Sequence, residues 1–258
     1  MVRTSVRRMR VEMGTTLVIE ACAASSGEAN AAVARAFAAA AHVAARLRPD
    51  SPGSDLARIS AAAPGKCVPI SLAAFEVLCF ARRLHALSEG TFDPCLPSRP
   101  GRVCDLELIA GAQPQAIPRS PMEIDCGGIA KGYAVDAAIA ALRAAGCSAG
   151  LVNAGGDVRT FGEAGEPVLL REPGGAYRAL TLRDAALAVS ARDQARAPAG
   201  HRGYYLRSGV APVRRYAAVR AADCMTADAL TKCALLAPEP LLGALLGHFA
   251  AAHLEASA

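Results

Sequence analysis

Between Glu123 and Asp136 the chain reads Glu-Ile-Asp-Cys-Gly-Gly-Ile-Ala-Lys-Gly-Tyr-Ala-Val-Asp, and this stretch holds the residue types that handle an anion. Met122 to Ile124 is a short apolar approach, read as the end of a strand. Asp125 closes it, Gly127 and Gly128 permit a tight turn, and Lys131 falls in the first turns of a helix that runs to Gly146. Such a corner turns unsatisfied backbone N–H groups and the positive end of a helix dipole towards one point, and a phosphate is the natural guest. A plain strand-to-helix turn with a surface lysine explains the same local residues. The glycine spacing is neither that of a Walker loop, which also needs a hydroxyl after the lysine, nor that of the dinucleotide fingerprint. A second glycine pair beside an aspartate, Gly155-Gly156-Asp157, follows a short apolar strand, where a hairpin turn accounts for it. Further on, Thr226 is read as a helix N-cap and Asp228 as a first-turn acid that the helix dipole favours. Lys232 lies four residues beyond Asp228, on the same helix face.

The elements that must position these residues follow from periodicity. Val33, Phe37, Ala40, Ala44 and Leu47 form one apolar helix face, which Arg48-Pro49 ends because proline disfavours helix in the residue before it. Ser71 caps a second helix with a stripe of Val77, Phe80, Leu84 and Leu87 that runs out at Ser88-Glu89-Gly90. Val135, Ile139 and Leu142 mark the helix after the central turn, and Gly146 is placed to close it. Strands are expected at 15–21, on both sides of Gly155-Gly156, and at 168–172, 179–182, 187–190 and 216–219. Pro238 ends the helix that carries Asp228, and Leu241, Leu242, Leu245, Leu246 and Phe249 pack a last one.

Composition bounds the function. At 258 residues, 53% hydrophobic and 20% charged, the chain has ample material for a packed core. No apolar run approaches the roughly 18–20 residues of a membrane span. Net charge is +5, aromatic residues are 4%, Trp is absent and the arginines are scattered, which argues against a nucleic-acid surface and suits anionic small molecules. Nine cysteines fall in no C-x-x-C or zinc spacing, which favours a reducing compartment. The basic start (Arg3, Arg7, Arg8, Arg10) leads into a stretch broken by Glu12 and Glu20, so it fails as a signal peptide, and Glu20 spoils a lipoprotein site at Cys22. The chain as written reads as cytoplasmic, with an exported form bearing a trimmed leader as the alternative.

The string Asp125-Cys-Gly-Gly-Ile-Ala-Lys-Gly-Tyr-Ala-Val-Asp136 closely resembles the signature of the ApbE family, the FAD:protein FMN transferases. Other elements resemble the same family in the same order: Met13-Gly-Thr15, Ser54-Asp-Leu-Ala-Arg-Ile-Ser60, Thr91-Phe-Asp-Pro94, Asn153-Ala-Gly-Gly-Asp-Val-Arg159, and Ala227-Asp-Ala-Leu230. The resemblance implies one α+β (mixed α/β) domain of T-fold-like ApbE type spanning 1–258, with FAD as donor and Mg²⁺ as cofactor. It implies transfer of FMN onto a threonine or serine hydroxyl of a partner flavoprotein, with release of AMP. By the same resemblance Met13 meets the flavin, and Thr91, Phe92 and Asp93 line the adenine and ribose side. Asp125 and Lys131 would fix the central turn and the nucleotide, and Gly155 and Gly156 would pack beside it. The Gly128 carbonyl and the Asp228 carboxylate would hold the metal, with Asp228 the catalytic anchor.

The chain departs from the family pattern at several places. Cys126 stands for a usual Leu, Leu47 for a common flavin-contacting Tyr and Thr91 for a small residue, and the loop after Cys95 is short. The family's His and Asp-Pro pieces are missing around Ser190 to Asp193 and Tyr204 to Gly209, though His201 is nearby. Where the family has a metal-facing Thr, this chain has Lys232, whose ammonium offers no lone pair to a hard cation. Thr231 is turned away by roughly 100° and is no simple substitute. Two other readings keep the flavin site: an FAD-binding carrier or scaffold that has lost transfer, and a pyrophosphatase that cleaves FAD to FMN and AMP. A structural protein without flavin is the remaining alternative.

Overall fold

The computed structural model describes residues 4–191 and 212–254. Chain order begins β1 (Thr4–Glu12), β2 (Thr15–Ala23), α1 (Ser26–Leu47), α2 (Asp55–Ala61), β3 (Val68–Pro69) and α3 (Leu72–Leu87). Next come β4 (Leu106–Ile109), β5 (Gln115–Pro118), α4 (Ala130–Ala144), β6 (Ala149–Ala154) and β7 (Asp157–Phe161). The rest is β8 (Glu166–Arg171), β9 (Tyr177–Leu182), β10 (Ala186–Ala191), β11 (Tyr216–Ala221), α5 (Cys224–Leu236), α6 (Glu239–His248) and β12 (Ala252–Leu254).

The frame is an antiparallel sheet in the order β1-β2-β6-β7-β10-β11-β12. On one face α1 packs over β1 and β2, α4 over β6 and β7, and α5 over β10 and β11; α4 lies between the other two. Val33, Ala36, Phe37 and Ala40 of α1 join Ile19, Val135, Ile139 and Leu142 in one core. On the opposite face the β8–β9 ribbon covers part of the sheet, with Val168, Leu170 and Leu182 against Val158, Leu187 and Ala218. The result is the mixed α+β class expected from the pattern.

Helix ends follow their caps. Ser25 and Glu28 form a capping box at the start of α1, and Ser71 accepts the Ala74 N–H at the start of α3. Gly146, at φ +79°, closes α4 as expected. Two expectations need correction. The stretch 122–124 is not a strand but a single bridge, Ile124 to Cys95. The N-cap of α5 is Asp223, not Thr226, so the helix starts two residues before Thr226 and Asp228 sits past its first turn. Ahead of the central stretch, β5 forms a small sheet between β3 and β4. The arginine-rich start is also a full-length edge strand, paired from Thr4↔Ala23 to Glu12↔Thr15. Only Val6 of that strand is buried, so it carries no alternating apolar signal, and its pairing rests on the backbone.

Candidate functional site

The central corner is tied on both sides. The Asp125 N–H donates to the Pro94 carbonyl at 2.9 Å, and the Leu96 N–H to the Glu123 carbonyl at 2.8 Å. The Ile124 N–H donates to Ser60 Oγ at 3.0 Å, which draws in the end of α2. Thr91-Phe92-Asp93-Pro94 and the corner therefore form one wall, although nearly thirty residues separate them. Asp125 Oδ1 accepts the Gly127 N–H at 2.9 Å, and the turn leads directly into α4.

Helices α4 and α5 then clasp each other through their own carboxylates. Asp136, on α4, accepts the N–H groups of Cys224 at 2.9 Å and Met225 at 2.8 Å, the first two residues of α5, and an N–H of Arg159 at 2.7 Å. In return Asp228, on α5, accepts the Gly132 N–H in the first turn of α4 at 3.1 Å. Each helix start gains the anion its dipole favours. Gly132 is required by this approach: a Cβ there would lie 2.3 Å from the Cys224 carbonyl oxygen.

Behind the corner lies a charged cluster. Lys232 Nζ donates to Asp228 Oδ1, to Ser190 Oγ at 3.0 Å and to Thr231 Oγ1 at 3.1 Å. Lys131 Nζ stands 3.0 Å from Asp157 Oδ2 and 3.8 Å from Asp228 Oδ2. Asp228 is fully buried and Lys232 is only 6% exposed. Burial pushes the Asp228 carboxyl up, but Lys131, Lys232 and the Gly132 N–H outweigh it and hold the group below its ordinary value. Asp157 goes the other way: burial and the neighbouring Asp228 charge raise it against the two lysines.

Two cavities open on this cluster. The first, of about 250 Å³, is lined by Thr91, Phe92, Asp93, Arg102, Gly128 and Lys232 among others. The second, of about 590 Å³, is lined by Met13, Leu47, Arg48, Lys131, Ser190 and Lys232 among others. Asp125 and Lys232 line both. The sequence-named residues therefore divide: Met13 and Lys131 face one chamber, Thr91, Phe92, Asp93 and Gly128 the other, and Asp125 marks the junction. Met13 is held at φ +51° in the β1–β2 turn, a conformation that costs a non-glycine residue about 1–2 kcal/mol. Asp93 is engaged by the Cys95 N–H at 2.9 Å, Arg102 Nε at 3.0 Å and the Val103 N–H at 3.3 Å, so its carboxylate shapes the loop. Gly155 and Gly156 line neither chamber. They form the β6–β7 turn at φ +64° and +106°, with Gly155 backing Thr15, which lines the second chamber.

The magnesium ion expected on Gly128 and Asp228 does not fit this arrangement. Mg²⁺ takes about six oxygens in tight octahedral order and usually keeps several waters. Here one Asp228 oxygen receives the Lys232 ammonium and the other the Gly132 N–H. The Lys232 side chain also lies over Gly128, with Cγ and Cε 3.4 Å from where a Cβ would stand. Among the described residues no group of three or more His, Cys, Asp or Glu could hold a metal ion. Asp228 is thus a buried partner of Lys232 and Gly132. Arg192, Asp193, His201 and the 204–209 stretch lie outside the described residues.

Sequence reasoning passed over Asp136, Gly132, Asp157 and Arg159 as site-building residues. The signal for Gly132 was a glycine in the first turn of an otherwise strong helix. Nothing local marks Asp136 as the partner of residues 88 and 89 positions away.

No protein with a curated description matches the sequence. Among solved structures, the chain is similar to the Pseudomonas stutzeri flavinyl transferase ApbE in its apo form, with TM-score 0.81, 21% identity, and 97% of this chain and 90% of that one covered. It is similar to the flavin transferase ApbE of Vibrio cholerae at TM-score 0.78 and 20% identity, covering 98% and 93%. The Thermotoga maritima ApbE protein aligns at TM-score 0.71 and 19% identity, over 90% and 86%. At these identities the likeness speaks for the fold. The ApbE family model matches residues 13–99 and 102–252, from the Met13 turn through the corner and the clasp to the end of the sheet, and on that extent the chain belongs to the ApbE family.

Proposed function

We propose that this protein is a flavin transferase that takes FAD as donor and places FMN on a threonine or serine hydroxyl of a partner flavoprotein, releasing AMP. The observation that carries this reading is the pair of chambers joined at Asp125 and Lys232. A dinucleotide laid across them would have its isoalloxazine in the larger chamber beside Met13 and Leu47. Its adenosine would lie in the smaller one beside Thr91, Phe92 and Asp93, and its diphosphate would cross at the junction. The names of the structural relatives, flavin transferases, support flavin transfer in general.

In the reaction the acceptor hydroxyl oxygen attacks the FMN-side phosphorus. A new P–O bond forms, the P–O bond to the bridging oxygen breaks, AMP departs with that oxygen, and the hydroxyl proton leaves to water. Such a step is mostly positioning and neutralisation of charge. Lys131 and Lys232 supply positive charge at the junction, and the N-terminal end of α4 adds the dipole. Asp228 and Asp157 hold those two ammonium groups in place, so Asp228 acts as a positioning residue. The apolar side chains of Ala44 and Leu47 in the larger chamber give a flavin ring a dry wall. The Mg²⁺ of the family has no part in this reading, since Lys232 fills its expected place.

The test is intact-mass measurement of a flavoprotein acceptor domain after incubation with the protein and FAD. One FMN mass added, with AMP in equal amount, is the expected result. FAD held without an adduct would make the protein a carrier. Free FMN and AMP without an adduct would make it a pyrophosphatase.

A further inference from the structure

The Lys232 side chain raises a question that family membership does not answer: what supplies the cation at the junction. Three oxygens converge on its Nζ, from Asp228, Ser190 and Thr231. Its aliphatic part covers Gly128. Its side chain forms part of the wall of both chambers, where a diphosphate would pass from one to the other. Asp228, the anion it sits on, has no exposed surface by which a metal ion could approach from the solvent side.

We propose that the protein carries its phosphate-facing cation covalently: the Lys232 ammonium takes the place of a divalent metal, and FAD is bound and processed without one. This rests on the flavin-transfer reading above. Lysine binds phosphate as a point charge, so it can meet a diphosphate oxygen on exchanging its hydrogen bond to Ser190 or Thr231. Lys131, 3.8 Å from Asp228 on the other side, brings a second positive charge to the same carboxylate. The cluster therefore already holds two ammonium groups against its two carboxylates, Lys131 nearest Asp157 and Lys232 on Asp228. A metal entering beside them would meet like charges at short range and would have to expel an ammonium from a fully buried carboxylate. The bond changes of transfer are those given above and need no co-reactant beyond FAD and the acceptor hydroxyl.

Metal-stripped full-length protein, FAD and Mn²⁺ as a spectroscopic probe for divalent ions test this. FAD affinity, read by quenching of flavin fluorescence, should agree within about twofold in EDTA and in millimolar Mg²⁺. Mn²⁺ titrated with and without FAD should show no bound fraction by electron paramagnetic resonance. Lys232→Thr should lose FAD affinity in EDTA by about tenfold or more, regain it with Mg²⁺, and bind Mn²⁺. Stoichiometric Mn²⁺ on the wild-type protein, or a tenfold loss of its FAD affinity in EDTA, would overturn the proposal. So would Lys232→Thr binding FAD in EDTA as well as the wild type does. If Lys232→Thr does not fold, the wild-type measurements decide by themselves. Transfer that occurs only with Mg²⁺ keeps the transferase reading and removes this one. Metal-independent FAD binding with no adduct on the acceptor does the reverse.

Discussion

Replacing Gly132 by alanine separates helix propensity from the geometry of the clasp. Propensity alone predicts a gain, since Ala is better than Gly in a helix by about 0.8–1.0 kcal/mol. The structure predicts a loss. The new Cβ would stand 2.3 Å from the Cys224 carbonyl oxygen, 2.7 Å from its carbon and 2.8 Å from Asp228 Cβ. Carbon contacts sit at about 3.5–4.0 Å, so α4 and α5 must part by roughly 1 Å. Overpacking of this kind costs about 1–3 kcal/mol, and more where backbone rather than a side chain must yield. Parting the helices also stretches the Gly132 N–H bond to the Asp228 carboxylate, a charge-assisted bond worth about 1.5–3 kcal/mol. Less the propensity gain, the net loss is about 2–5 kcal/mol. Urea unfolding followed by far-ultraviolet circular dichroism reads it directly: at a slope of about 3 kcal/mol per molar, the midpoint should fall by about 0.7–1.7 M. An unchanged or raised midpoint would refute the account of the clasp.

The other expectations use the same framework. Asp136→Ala leaves the first two N–H groups of α5 and the Arg159 guanidinium without their shared acceptor, and should cost roughly 2–4 kcal/mol in the same unfolding assay. Gly155→Ala puts a Cβ at φ +64° against Thr15 Oγ1, 2.3 Å away, and should lower both stability, by about 2–3 kcal/mol, and FAD affinity. Asp93→Ala releases the loop that walls the smaller chamber; competition by AMP for FAD should weaken more than competition by FMN. Cys126, Cys224 and Cys233 are buried, and burial raises each thiol, Cys233 to about 12. A thiol reagent at mildly alkaline pH should therefore modify the exposed Cys67 and Cys104 in the native protein and reach those three only after unfolding.

What could be read in advance had a local cause. The face of α1 and the stripe of α3 repeat at helical spacing, and all five residues named for α1 are buried. The Gly155-Gly156 turn was legible because both residues need the left-handed region. The N-cap of α5 was misplaced because Asp223 and Thr226 are both capping types, and their spacing does not say which begins the helix. β1 was missed because eight of its nine residues lie outside the core, so the strand shows no period of two. At the site, the convergence of the corner with Thr91 to Pro94 was visible only through family resemblance. It depends on backbone pairing and on Ser60, which no periodicity announces. Lys232 was recognisable as a poor metal ligand, and its i,i+4 spacing put it on the face of Asp228. That its ammonium would also reach Ser190 on β10 required the packing of α5 against the sheet.

A crystal structure of the protein with FAD, grown in EDTA, bears most directly on the account. It should show the isoalloxazine against Met13 and the adenine against Phe92. The diphosphate should lie within about 4 Å of Lys232 Nζ, with no ion between them. A diphosphate bound away from Lys232, or FAD confined to one chamber, would contradict it.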